Sequence, residues 1–142
     1  MKKKISKKQP FDFKTIKSFK DACKKIDLDY IEGVDPNALP DVSIIPEEFR
    51  KAIIGCYKLF IIFKAINNGW IADFTNYNQK KYYPWLKVNS AGSGFDFSGS
   101  DYYYVYALTF VGSRLCTDTS EKALYIGEQF GEEYAEFFLN RK

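Results

Sequence analysis

The stretch from Pro46 to Gly69, PEEFRKAIIGCYKLFIIFKAINNG, constrains the fold more than any other part of the chain. Pro46 suits the first turn of a helix, and Glu47 and Glu48 complement the positive end of its dipole. Phe49, Ile53, Cys56, Tyr57, Phe60, Phe63 and Ile66 recur at helical spacing, leaving Lys51, Lys58 and Lys64 as a narrow polar stripe. A helix that is apolar over most of its circumference is buried on several sides. The spacing therefore predicts a central helix over 46–67. Asn67, Asn68 and Gly69 end it, because Asn and Gly accept the left-handed conformation. The apolar run over 52–66 is short for a membrane span and is broken by Lys58 and Lys64, so the expectation is a soluble domain with no membrane partner.

A chain of 142 residues is expected to form one domain and can bury a core without disulfides or metals. The first ten residues hold Lys2, Lys3, Lys4, Lys7 and Lys8 and no acid, and read as a flexible basic arm. Removing those five from the 21 Lys and Arg leaves 16 against 18 acidic residues, so the body over 11–142 carries −2 although the chain carries +3. Such an arm either attracts phosphates or an acidic partner, or is a solvated tail. MKKK leads into Ile5, Ser6 and further lysines rather than an apolar run, so no signal peptide is read and a cytoplasmic location is expected.

Around the central helix the expected order is α-α-β-β-β-α. Ser18 and Asp21 form a capping-box-like start for a short amphipathic helix, with Ile16, Phe19, Cys23 and Ile26 recurring at helical spacing. Residues 70–74 read as a short strand and TNYNQ as a turn. Residues 80–88 read as a second strand, which Pro84 confines to an edge or a bulge. NSAGSGFDFSGSD reads as a long Gly/Ser loop, with Phe95 and Phe97 folded back onto the body or held out to a partner. Residues 102–115 read as a third strand, dense in β-formers. Asp118 and Glu121 are spaced as a second capping box for a last helix with Leu124, Gly127, Phe130, Tyr134 and Phe137 on its apolar stripe and an acidic opposite face. The fold class expected is α+β: a three-stranded antiparallel meander on a central helix, with a short N-terminal helix and a C-terminal amphipathic helix.

Several chemistries lose their means here. There is no histidine, so the commonest general base and the familiar triads are absent. Three distant cysteines with no C-x-x-C pair do not make a zinc site, and no metal or cofactor is expected. Arg114 near Cys116 can lower a thiol pKa, but the plainer reading of Cys116 is a small buried hydrophobe. The glycines of residues 92–99 lie between strands rather than at the start of a helix, which a phosphate-cradling loop requires. No catalytic residue is assigned. Gly127 and Gly131 are read as points of close approach to another element.

The outstanding bias is aromatic, at 18% of residues with 11 Tyr and 13 Phe. Alternation along residues 80–88 puts Tyr82, Leu86 and Val88 on one face and Lys81, Tyr83, Trp85 and Lys87 on the other. The second set is a pair of rings bracketed by lysines, which a core does not readily accept. Rings beside lysines on a sheet stack nucleic-acid bases. The same composition builds protein interfaces, and it also builds cross-strand ladders that only stabilise a sheet.

The segments SFKDAC, GWIADFTNYNQKKYYPW, GSGF, VGSRLC and SEKALYIGEQF, over about Phe19 to Leu139, resemble small aromatic-rich proteins from phages and mobile elements of gut Bacteroidales. That set has Trp where this chain has Phe74, and Phe where it has Leu86. The resemblance implies a viral or mobile-element accessory protein acting in the host cytoplasm, and brings over no catalytic residue. The expected function is a non-catalytic binding module. Its face would be Lys81, Tyr83, Trp85 and Lys87, joined by Phe95, Phe97 and the basic arm, with nucleic acid or a nucleoprotein as partner. The alternative is a protein-interaction role, as an inhibitor of a host factor or a virion component.

Overall fold

A computed structural model of the protein describes residues 10–28, 39–103 and 114–139. The fold is α+β. After a single 3-10 turn at Phe13–Thr15 come helices α1 (Phe19–Lys25) and α2 (Glu47–Asn67), strands β1 (Lys81–Val88) and β2 (Phe95–Tyr103), and helices α3 (Ser120–Gln129) and α4 (Gly131–Phe138). No helix among the described residues is long and apolar enough to cross a membrane.

The local rules hold where short-range chemistry decides. Ser18 caps α1, its hydroxyl accepting from the Asp21 backbone N–H at 3.2 Å, while the Asp21 carboxylate accepts from the Lys17 N–H at 3.1 Å. A hydrogen bond between the Ser18 side chain and the Asp21 carboxylate is the main reason the Asp21 pKa is lowered. Pro46 precedes α2, and Asn68 ends it in the left-handed region at φ 47°. The core lies along the second half of α2: Leu59, Ile62, Phe63 and Ile66 are sealed against Ile16, Ala22, Leu115, Ile126, Phe130 and Tyr134. The expectation of burial on several sides fits only this half. On the first half Phe49 and Ile53 stay exposed, as does Phe60 further along.

α2 crosses α4 at Gly55, where an added Cβ would stand 2.8 Å from Glu136 Cβ and 2.9 Å from the Glu133 carbonyl oxygen. Only hydrogen fits there. The close approach expected at Gly127 and Gly131 is different in each case. Gly127 is buried, whereas a Cβ on Gly131 would meet nothing within 4 Å. The last helix is also not continuous. Phe130, at φ −119° and ψ 32°, separates α3 from α4, and its ring is buried. The α3 cap is Thr119, whose hydroxyl accepts from the Lys122 N–H. Asp118 instead pairs with the Lys122 ammonium at 2.8 Å.

β1 and β2 form an antiparallel hairpin. On the other edge of β1, Tyr82 and Thr117 exchange both backbone hydrogen bonds, at 2.8 and 2.9 Å. Two strand expectations need correction. Residues 70–74 form no strand, because side chains meet the backbone donors there: the Asp73 carboxylate accepts from Thr75 N–H and Gln79 Oε1 accepts from Asp73 N–H. The Gly/Ser loop is far shorter than expected, since Phe95 onward pairs with β1. The reversal is confined to 89–94, where Asn89 accepts from Gly92 N–H and donates to the Gly94 carbonyl, both at 2.9 Å. Of the third strand expected over 102–115, Tyr102 and Tyr103 are the end of β2, and residues 104–113 lie outside those described.

Candidate functional site

The four positions expected to share one contact face divide in two. Lys81 is fully buried. Its ammonium donates to the carbonyl oxygens of Gln79 at 2.8 Å and Asn76 at 3.0 Å, and sits 5.4 Å from the Phe74 ring centroid. A cation is tolerated inside because the turn over 74–79 wraps it in acceptors and a ring face. Tyr83 is 8% exposed. Burial, and then the neighbouring Asp101 carboxylate, raise its phenol pKa above the usual value. Neither residue is available to a partner, which corrects the expectation for both. The reason is that the Lys81 and Tyr83 face of the hairpin root is enclosed: alternation separates the faces of a strand but does not say whether either is open.

Beyond Pro84 the strand opens. Trp85 is 46% exposed. It stands opposite Gly99, the register slips between Trp85 and Leu86, and Ser98 is left with no cross-strand partner. This is a bulge of the kind that turns a side chain out of a sheet. Gly99 has φ 137°, and a Cβ there would touch nothing within 4 Å, so the indole has no side chain facing it across the ladder. Lys87 is exposed opposite the exposed Asp96. Val88 is exposed as well, not in the core as the alternation predicts.

Of the two loop rings, Phe95 is half-buried and packs on the core, so it folds back rather than reaching out. Phe97 pairs with Leu86 through the register of β2. The arm lysines Lys2, Lys3, Lys4, Lys7 and Lys8 lie outside the described residues.

Two further aromatic positions are exposed, although neither is among the contact residues that the sequence suggests. Tyr102 is 44% exposed, its ring 5.4 Å from that of Tyr82, with the Lys80 ammonium 4.6 Å from its centroid. Tyr77 is exposed in the turn that encloses Lys81. The signal for Tyr102 was its place directly across from Tyr82, which only the β2 register reveals.

Elsewhere, an open cleft of about 330 Å³ lies between the C-terminal ends of α1 and α2, lined by Lys25, Asp27, Lys64, Asn68 and Trp70 among others. Cys116 is fully buried, and its carbonyl accepts from Asn67 Nδ2 at 2.8 Å. Among the described residues no group of three or more His, Cys, Asp or Glu is placed to hold a metal ion. Comparison with protein-family models, with curated proteins and with solved structures finds no match.

Proposed function

We propose that the protein is a non-catalytic binding module that engages a protein partner through the open half of its hairpin, centred on Trp85. One observation supports this above the rest: Trp85 is presented, not packed, opposite a glycine on a bulged strand. Tyr102, Tyr77 and Val88 add exposed apolar area on the same hairpin and its flanking turn. Rings of this kind dominate interface energetics. The charges here favour a protein over a polyanion. Lys81 is enclosed, Lys87 faces Asp96, and Asp101 sits beside Tyr83, which leaves little net positive field on the hairpin. With the resemblance to phage and mobile-element proteins, the partner expected is a host or virion protein met in the host cytoplasm. The test is retention of a partner from nuclease-treated host lysate at high salt. Trp85→Ala should weaken that retention at least about tenfold, and equal retention by the variant would sink the reading.

A second reading keeps nucleic acid as the partner and moves the contact. The first 28 residues hold ten lysines against Asp12, Asp21 and Asp27, and Lys14, Lys17, Lys20, Lys24 and Lys25 are all exposed. That run is the footprint of phosphate attraction. It predicts binding to single strands at low salt that weakens steeply as salt rises. Absence of binding at low salt removes it.

A further inference from the structure

The cleft of about 330 Å³ between the C-terminal ends of α1 and α2 carries a chemistry that the hairpin does not explain. Lys25 comes from the last turn of α1 and Lys64 from the last turn of α2, and both are exposed. Each complements the negative end of its own helix. Neither ammonium forms an ion pair among the described residues, and that of Lys25 sits 4.2 Å from the Phe11 ring centroid instead. Asp27 follows α1 and Asn68 follows α2, both in the left-handed region, at φ 58° and φ 47°. The turn at Asn68 brings Trp70 and Ile71 into the lining, together with Ile26 and Ala65. Trp70 is half-buried there and is not among the rings that pack on the core. The helix dipoles account for the two lysines but not for a tryptophan beside them.

We propose that this cleft binds a nucleoside phosphate, its base stacked on Trp70 and its phosphate held by the Lys25 and Lys64 ammonium groups. An indole that lines a cleft and stays out of the core is a platform for a planar ring. Ile26, Ala65 and Ile71 give that ring apolar surroundings. The exposed Asn68 amide offers both a donor and an acceptor to a base edge. Two cations without ion pairs supply charge-assisted hydrogen bonds to phosphate oxygens. Two lysines less Asp27 leave the lining at +1, which matches a single phosphate better than a triphosphate. The volume lies near the lower end of the roughly 300–1,000 Å³ of small-ligand pockets, room for one nucleotide and not for a larger cofactor. Because the cleft is open, that nucleotide is either free or part of a single strand, and the chemistry of recognition is the same for both. Lys25 also belongs to the lysine run of the nucleic-acid reading. The cleft does not rest on that reading, since Lys64 and Trp70 lie outside the run.

Titration of adenosine monophosphate, and separately of a short oligodeoxyadenylate, into the Trp85→Phe chain at low salt tests this, because Trp70 is then the sole tryptophan. The expected result is saturable quenching of the Trp70 emission. Lys64→Gln, at an exposed position, should weaken binding at least about fivefold. Adenosine and ribose phosphate should each bind at least about tenfold more weakly than the nucleotide. Tighter binding of the strand assigns the site to a nucleotide within a chain, and tighter binding of the monophosphate to a free nucleotide. No quenching by either probe overturns the proposal, as does quenching indifferent to Lys64→Gln. Ribose phosphate that binds as well as the nucleotide marks a plain anion site and overturns it too. If Trp85→Phe does not fold, calorimetric titration of the wild-type chain and Lys64→Gln with the same probes decides. Strand binding that leaves the Trp70 emission unchanged keeps the nucleic-acid reading and overturns the cleft, and quenching by the monophosphate without strand binding does the reverse. The hairpin reading stands or falls separately, on Trp85→Ala.

Discussion

Lys81 and Lys87 are the same residue type on the same strand and the same nominal face, six positions apart, and they end in opposite environments. Lys81 is sealed at the root of the hairpin, its charge held by two backbone carbonyls. Lys87 stands in water near the tip, facing Asp96 across the ladder. Tyr83 and Trp85 divide in the same way. A single strand thus serves two purposes: its first half encloses Lys81 and Tyr83, and its second half presents Trp85 and Lys87 to water while Leu86 still packs on the core. The bulge opposite Trp85 marks the change.

If the root is structural, substitutions there cost stability, and those at the tip do not. Lys81→Ala should be the most damaging, at about 3 kcal/mol in urea unfolding, because it leaves two carbonyls without their donor and opens a hole beneath the 74–79 turn. Gly55→Ala tests the same distinction at a helix crossing. With backbone atoms of α4 in the way it should cost about 2 kcal/mol, whereas Gly131→Ala, which meets nothing, should stabilise by about 0.5 kcal/mol.

Tyr83→Phe should cost about 1 kcal/mol at neutral pH by removing the hydroxyl beside Asp101. Its pH signature is specific. The folded-state phenol pKa is raised, so the folded state holds the proton more tightly than the unfolded chain. Stability from this source is present below the ordinary tyrosine pKa of about 10 and declines as pH rises beyond it. The variant should flatten that alkaline decline. Smallest of all, Trp85→Ala and Lys87→Ala should lie within about 0.5 kcal/mol of wild type. A large loss at either tip position would erase the contrast between root and tip.

The parts legible in the sequence were those set by neighbours a few residues apart. The span of α2, its left-handed Asn68 and the Ser18 cap all follow from local spacing and capping chemistry. β2 was hidden because Ser98, Gly99 and Ser100 read as loop, yet Ser100 pairs with Pro84 and the register slips at Ser98 and Gly99. The burial of Lys81 depends on how the 74–79 turn closes over it, and no periodicity encodes that. The crossing at Gly55 escaped notice because a glycine inside a strongly apolar helix looks incidental until α4 is placed against it. The candidate site followed the same rule. Trp85 and Lys87 were named as outward residues and are exposed, while Tyr102 and Tyr77 needed the register and the turn before they could be seen.

The central claim is that Trp85 is a presented ring, and it can be tested without knowing any partner. Trp70→Phe leaves Trp85 as the sole tryptophan. The emission of that variant should be red-shifted like indole in water and should be readily quenched by acrylamide, with the fold intact by circular dichroism. A blue-shifted emission that acrylamide barely reaches would mean the ring is packed, and would contradict the account.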